Sequence, residues 1–116
     1  MNNELEEQLV NGFKKFDQGK LQWHLMPEDA LEEIVKVLMI GAKKYGDFNW
    51  LDNANQVQLT RYLNAMERHL KSLKRGRDRD AETNLLEAAH VATNALFVIT
   101  MQLRNLGIDN RRKDLK

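Results

Sequence analysis

Apolar residues recur along this chain at spacings of three and four rather than two, which is the period of a helix and not of a strand. Leu5, Leu9 and Phe13 stand four apart behind Asn3, a suitable N-cap, and predict a short helix over residues 4–15. Asp17-Gln18-Gly19 breaks it, and residues 20–26 read as extended or irregular. Pro27 suits a first helical position, and Glu28 and Asp29 favour the positive end of the helix dipole. Leu31, Ile34, Val35, Leu38 and Ala42 then form an apolar stripe, and Gly46 follows Lys43 and Lys44, predicting a helix over 27–45. Residues 47–53 read as a loop carrying Phe48 and Trp50. Tyr62, Met66, His69, Leu70 and Leu73 predict a helix over 55–75 that Gly76 ends. After a charged turn, Asp80 is placed as the N-cap of the longest and most apolar helix, 81–106, stopped by Gly107. Residues 109–116 are mostly charged and are expected to fray.

The pattern therefore predicts an all-α fold of three long helices and one short amino-terminal helix. At 116 residues it fits a single domain, since two cores would each be too small to be stable. One proline and six glycines agree with helices rather than a turn-rich β protein. The stretch from Leu96 to Leu106 is apolar on more than one side, so a homo-oligomer, a dimer or tetramer, is expected to complete the core. With 42% hydrophobic and 30% charged residues, the chain is not a disordered one. The lack of cysteine excludes disulfides and thiolate metal sites. No apolar run reaches membrane-spanning length and the acidic start is unlike a signal peptide, so a cytoplasmic protein is expected. A net charge of +1 argues against dedicated nucleic-acid binding.

Glu87, His90, Asn94, Phe97 and Met101 share one face of the last helix, polar at its amino-terminal end and apolar beyond. Such a change along one stripe implies a polar cavity at one end of the bundle. Glu87-x-x-His90 is also the spacing by which helical bundles project metal ligands inward, and Glu82 lies nearby. If the preceding helix runs antiparallel, His69 enters the same layer, with Arg68 at the cavity edge. Glu33 is a further inward carboxylate or, alternatively, a boundary residue paired with Lys36 or Lys44. His90 and His69 can equally be read as hydrogen-bonded core histidines.

A second group joins lysines to aromatics on glycine-containing turns: residues 14–20, with Lys20, and residues 41–50, with Lys44, Tyr45, Asn49 and Trp50. Lysines suit phosphates and aromatic rings suit a base. The plainer alternative is that the lysines complement a helix end and the rings plug the bundle. No phosphate-binding loop, nucleophile elbow or dinucleotide fingerprint is present, so metal-assisted hydrolysis fits the side chains better than nucleophilic catalysis.

Taken in order, Lys15-x-Asp17-x-Gly19-Lys20, Gly41-Ala42-Lys43-Lys44-Tyr45-Gly46 with Asn49-Trp50, Ala65-x-x-Arg68-His69, Asp80-x-Glu82-Thr83, His90 and Asn94 resemble the phage dATP/dGTP diphosphohydrolases. These belong with the MazG-like all-α nucleotide pyrophosphohydrolases. Three positions depart from the family pattern: Asn84 stands where glycine is frequent, and Leu86-Glu87 where Pro-His is frequent. The resemblance implies a MazG-like bundle and a metal-dependent enzyme that cuts a purine deoxynucleoside triphosphate to monophosphate and pyrophosphate, feeding 2-aminoadenine synthesis in phages. It implies an oligomer with sites near subunit contacts. On that reading Glu82, Glu87, His90 and His69 hold Mg²⁺, Mn²⁺ or Co²⁺, with Glu82 or Glu87 as general base. Lys20, Lys44 and Arg68 then hold phosphates, Tyr45, Asn49 and Trp50 contact base or sugar, and Asn94 orients a ligand. The reading from a different class is a non-enzymatic helical interaction domain of a phage protein, with the aromatics as a partner patch.

Overall fold

A computed structural model describes residues 18–114. The helix expected over 4–15, and with it Lys15 and Asp17, lies outside the described residues. The described chain is all-α: α1 (Glu28–Tyr45), the single-turn α2 (Asn49–Asp52), α3 (Leu59–Lys74) and α4 (Glu87–Arg104). Short 3-10 turns cover Trp23–Leu25 and Ala54–Gln56.

The three long helices sit where their stripes predict, and their starts differ for local reasons. Pro27 is the N-cap of α1 rather than its first residue, with extended backbone at ψ 115°. The expected start of α3 at 55 moves to Leu59, because 49–56 is taken up by two separate helical turns. The largest shift is in α4, which begins at Glu87 and not at 81. Asp80 does accept N–H groups of residues two and three ahead, as an N-cap would, since its Oδ2 bonds Glu82 N at 3.2 Å and Thr83 N at 2.9 Å. The chain then turns back instead of going helical. Asn84 adopts φ +59°, Asp80 N donates to Leu85 O, and Arg79 bridges Leu86. A left-handed residue cannot continue a right-handed helix. Asparagine tolerates that conformation better than most residues, and glycine, which the resembled family carries here, tolerates it best.

α4 is the central element and packs against both α3 and α1. It runs antiparallel to α3: His69 meets Glu87, while Tyr62 meets Phe97. The apolar end of this seam gathers Trp50 from α2, Tyr62 and Phe97, with ring centroids 4.3 Å (Trp50–Phe97) and 5.1 Å (Tyr62–Phe97) apart. Met101 is buried below them. The residues after α4 fold back over the start of α3. Ile108 N donates to Val57 O, Leu59 N donates to Ile108 O, and Asn110 both accepts from Thr60 N and donates to Thr60 Oγ1. Asn110 thus does the work of a side-chain cap for α3, whose own N-cap residue Gln58 makes none. The charged tail expected from 109 begins with this anchor. Gly107 makes the return possible: φ is +83°, and a Cβ there would lie 2.1 Å from Met101 Cε and 3.0 Å from Val57 O.

The buried core is thin. α1 has no buried residue, and Val35 and Met39 on it, like Ile99 and Leu103 on α4, are largely exposed apolar side chains.

Candidate metal centre

The polar end of the α3–α4 seam is built by three pieces of chain. His69 stands on the inward stripe of α3. Glu87 and His90 stand three apart on the facing stripe of α4, both buried, Glu87 with only 1% of its surface exposed. The turned-back loop between them carries Asp80 and Thr83. Its two ends are held together at the neck by Glu87 N, which donates to Asp78 O, and by the adjoining Arg79–Leu86 bridge.

His69 Nδ1 lies 2.6 Å from Glu87 Oε1, a hydrogen bond whose proton a cation held between the two groups would displace. The same nitrogen is 3.8 Å from Asp80 Oδ1. One ligand atom each from His69, Asp80 and Glu87 fall within 4.8 Å of one another. An imidazole nitrogen and two carboxylate oxygens converging this closely are a suitable donor set for a hard or borderline divalent cation. His90 stacks on His69, rings nearly parallel at 10° with centroids 4.4 Å apart, and its Nε2 is 2.7 Å from Thr83 Oγ1.

The charges here are tuned. Burial raises the Asp80 carboxyl, but the Thr83 backbone N–H and hydroxyl and the two histidines outweigh it and hold the group below the ordinary aspartate value. Burial and the neighbouring His69 ring lower His90, against the pull of Asp80, Glu87 and Glu82, so it is neutral at neutral pH.

The structure brings together three of the expected site residues, His69, Glu87 and His90, with Asn94 buried one turn further along α4. The Asn94 Nδ2 donates to the His90 carbonyl at 2.9 Å. Glu82 lies outside the three-ligand cluster. It is exposed and pairs with Lys44 Nζ at 2.9 Å, an ion pair that raises the lysine and ties the end of α1 to the rim of the site. Tyr45 is exposed beside Lys44. Trp50 is spent on Phe97, and Asn49 Oδ1 accepts from Asn53. Lys20 and Arg68 are exposed, Arg68 one residue around α3 from His69. Glu33 pairs with Lys36 on α1, the boundary role that the sequence offered as its alternative.

Asp80 and Thr83 are the members of the site that residue reading did not place there. Their sequence signal was present but ambiguous, because an aspartate bonded to N–H groups two and three residues ahead starts a helix or makes a tight turn equally well.

The chain matches the family model described as dATP/dGTP diphosphohydrolase, N-terminal, over residues 11–111. It is 38% identical over 98 residues to the dATP/dGTP diphosphohydrolase of Salmonella phage PMBT28, an alignment covering 84% of this chain and 32% of that relative. The chain thus spans about a third of the length of that curated relative. No solved structure matches it.

Proposed function

The chain belongs to the family described as dATP/dGTP diphosphohydrolase, N-terminal, which it matches over residues 11–111, and from that premise we propose that it hydrolyses purine deoxynucleoside triphosphates to the monophosphate and pyrophosphate with the aid of a divalent cation. The observation that carries this reading is the convergence of His69, Asp80 and Glu87 at one end of the α3–α4 seam. These three would hold the cation, with Glu82 at the exposed rim and His90 buried against His69. A bound Mg²⁺, Mn²⁺ or Co²⁺ supplies charge neutralisation for the phosphates and polarises the phosphorus under attack.

The residues do the rest. Glu87 is sequestered from solvent, which strengthens its electrostatic grip on whatever stands beside it. Lys44 reaches the rim from α1 and would hold the phosphate chain, exchanging Glu82 for substrate. Tyr45, next in sequence and exposed, offers a free face on which a purine stacks. Glu82, released from Lys44, is the solvent-facing carboxylate placed to accept a proton from attacking water. Lys20, Arg68, Asn49, Trp50 and Asn94 remain candidates for outer contacts to phosphate, sugar or base. The setting is phage nucleotide metabolism, with 2-aminoadenine synthesis as the consumer of the monophosphate. The bundle is read as MazG-like. The exposed apolar rows Leu31, Val35, Met39 on α1 and Leu96, Ile99, Leu103 on α4 support a homo-oligomer, since contiguous exposed apolar surface marks contact sites. Among the described residues no helix is long and apolar enough to cross a membrane.

Product analysis with each dNTP and Mn²⁺ or Co²⁺ tests the activity. Pyrophosphate and dNMP support it, whereas phosphate and dNDP, or no turnover, contradict it. Light scattering tests assembly: a mass of 13.6 kDa at micromolar concentration rules the oligomer out.

A further inference from the structure

Thr83 Oγ1 sits among three partners: Asp80 Oδ2 at 3.0 Å, His90 Nε2 at 2.7 Å and Leu85 N at 3.3 Å. A hydroxyl has one proton and two lone pairs. Leu85 N–H can only donate, so it takes one lone pair. Asp80 Oδ2 already accepts the N–H groups of Glu82 and Thr83 and can only accept from the hydroxyl as well. The hydroxyl proton is therefore committed to Asp80. The one remaining lone pair faces His90 Nε2, which must supply a proton to make the 2.7 Å contact attractive. Three donors now saturate Asp80 Oδ2, and Oδ1 alone is left toward His69.

The ring stacking reaches the same place independently. A metal bonds an imidazole in the plane of the ring, at about 2.0–2.2 Å from nitrogen. The planes of His69 and His90 are parallel within 10°, and stacked rings stand about 3.5 Å or more apart. The two rings thus lie in parallel, offset planes, and a donor set built on His69, Asp80 and Glu87 would not take in His90 as well.

We propose that Thr83 is a positioning residue: it holds His90 with its proton on Nε2 and leaves Asp80 a single free oxygen, so that His90 stands beside the cation site and does not bind through Nε2. The inference rests on the cation-site reading above, and its tautomer half is tested without metal or substrate. The fixed proton orients His90, whose ring in turn presses on His69 and sets the ligand plane. Outer partners of this kind typically contribute 10–100-fold in metal affinity.

Long-range ¹H–¹⁵N correlation spectra of the metal-free full chain report which ring nitrogen carries the proton. The expected result is Nε2–H on His90, unchanged when Mg²⁺ is added to saturation. Thr83→Val, which keeps the shape and removes the hydroxyl, is expected to mix the His90 tautomers and to weaken Mn²⁺ binding 10–100-fold by spin resonance titration. Thr83→Ser is expected to restore both. An Nδ1–H tautomer in the unsubstituted chain, a His90 Nε2 that loses its proton to Mg²⁺, or Thr83→Val with unchanged tautomer and Mn²⁺ affinity each overturns the proposal. The first two need no variant, so a failure of Thr83→Val to fold leaves the test intact. Absence of dNTP turnover with the tautomer pattern as expected would strike the enzymatic reading and support this one.

Discussion

The two ends of the α3–α4 seam use the same helix geometry for opposite purposes. At one end Trp50, Tyr62, Phe97 and Met101 pack ring against ring and methyl, beneath the returning chain at Gly107. At the other, His69, Glu87 and His90 occupy equivalent inward positions and the loop adds Asp80 and Thr83, groups that all need partners. Among the described residues no buried side-chain nitrogen or oxygen lacks one. The apolar end is cheap to bury and contributes stability. The polar end gains little net stability from its hydrogen bonds, because each replaces one to water.

That contrast can be broken by substitution. The largest effect is expected from Glu87→Gln, which keeps shape and hydrogen-bond acceptance but removes the charge from a ligand 1% exposed. Metal-dependent turnover is expected to fall by several orders of magnitude while the metal-free melting free energy changes by no more than about 1 kcal/mol. Turnover near the unsubstituted level would remove Glu87 from the ligand set.

At the opposite end Gly107→Ala is expected to do the reverse. Its Cβ would overlap Met101 Cε, and φ +83° is strained for alanine. A loss of about 2–4 kcal/mol is expected in denaturant unfolding, with Mn²⁺ affinity of the folded fraction unchanged. A variant as stable as the parent would mean that the return over α3 is not closed.

Metal itself sharpens the comparison next. Mn²⁺ at a hundred times its dissociation constant is expected to raise unfolding free energy by about 2.7 kcal/mol, and Glu87→Gln is expected to abolish that rise while Gly107→Ala preserves it. A thermal shift that survives Glu87→Gln would point to a cation site elsewhere.

The smallest effect is expected from Asn110→Ala, which removes the remote cap of α3. About 1 kcal/mol of stability should be lost, with fraying of the first turn of α3 visible in amide exchange. Protection at Thr60 equal to that of the parent would show the cap to be dispensable.

Periodicity alone determined the all-α class, the three long helices, and the inward stripe on α4 from Glu87 through His90 and Asn94 to Met101, because a 3.6-residue repeat leaves one face to bury. It also put His69 opposite that stripe by expecting a short turn between antiparallel neighbours; the connection is the longer segment 75–86, which folds back on itself and leaves the helices antiparallel. What periodicity does not encode is the path of a chain between helices. Asp80 offers the same two hydrogen bonds to a starting helix and to a tight turn, and the choice was made by Asn84 in the left-handed region and by the Arg79–Leu86 bridge. The tertiary structure thereby added Asp80 and Thr83 to the site. It also turned Glu82 outward to Lys44, committed Trp50 to Phe97, and brought Asn110 fifty residues back to Thr60. Each of these depends on which distant group happens to stand within 3 or 4 Å, and a short-range pattern along the chain carries no term for that distance.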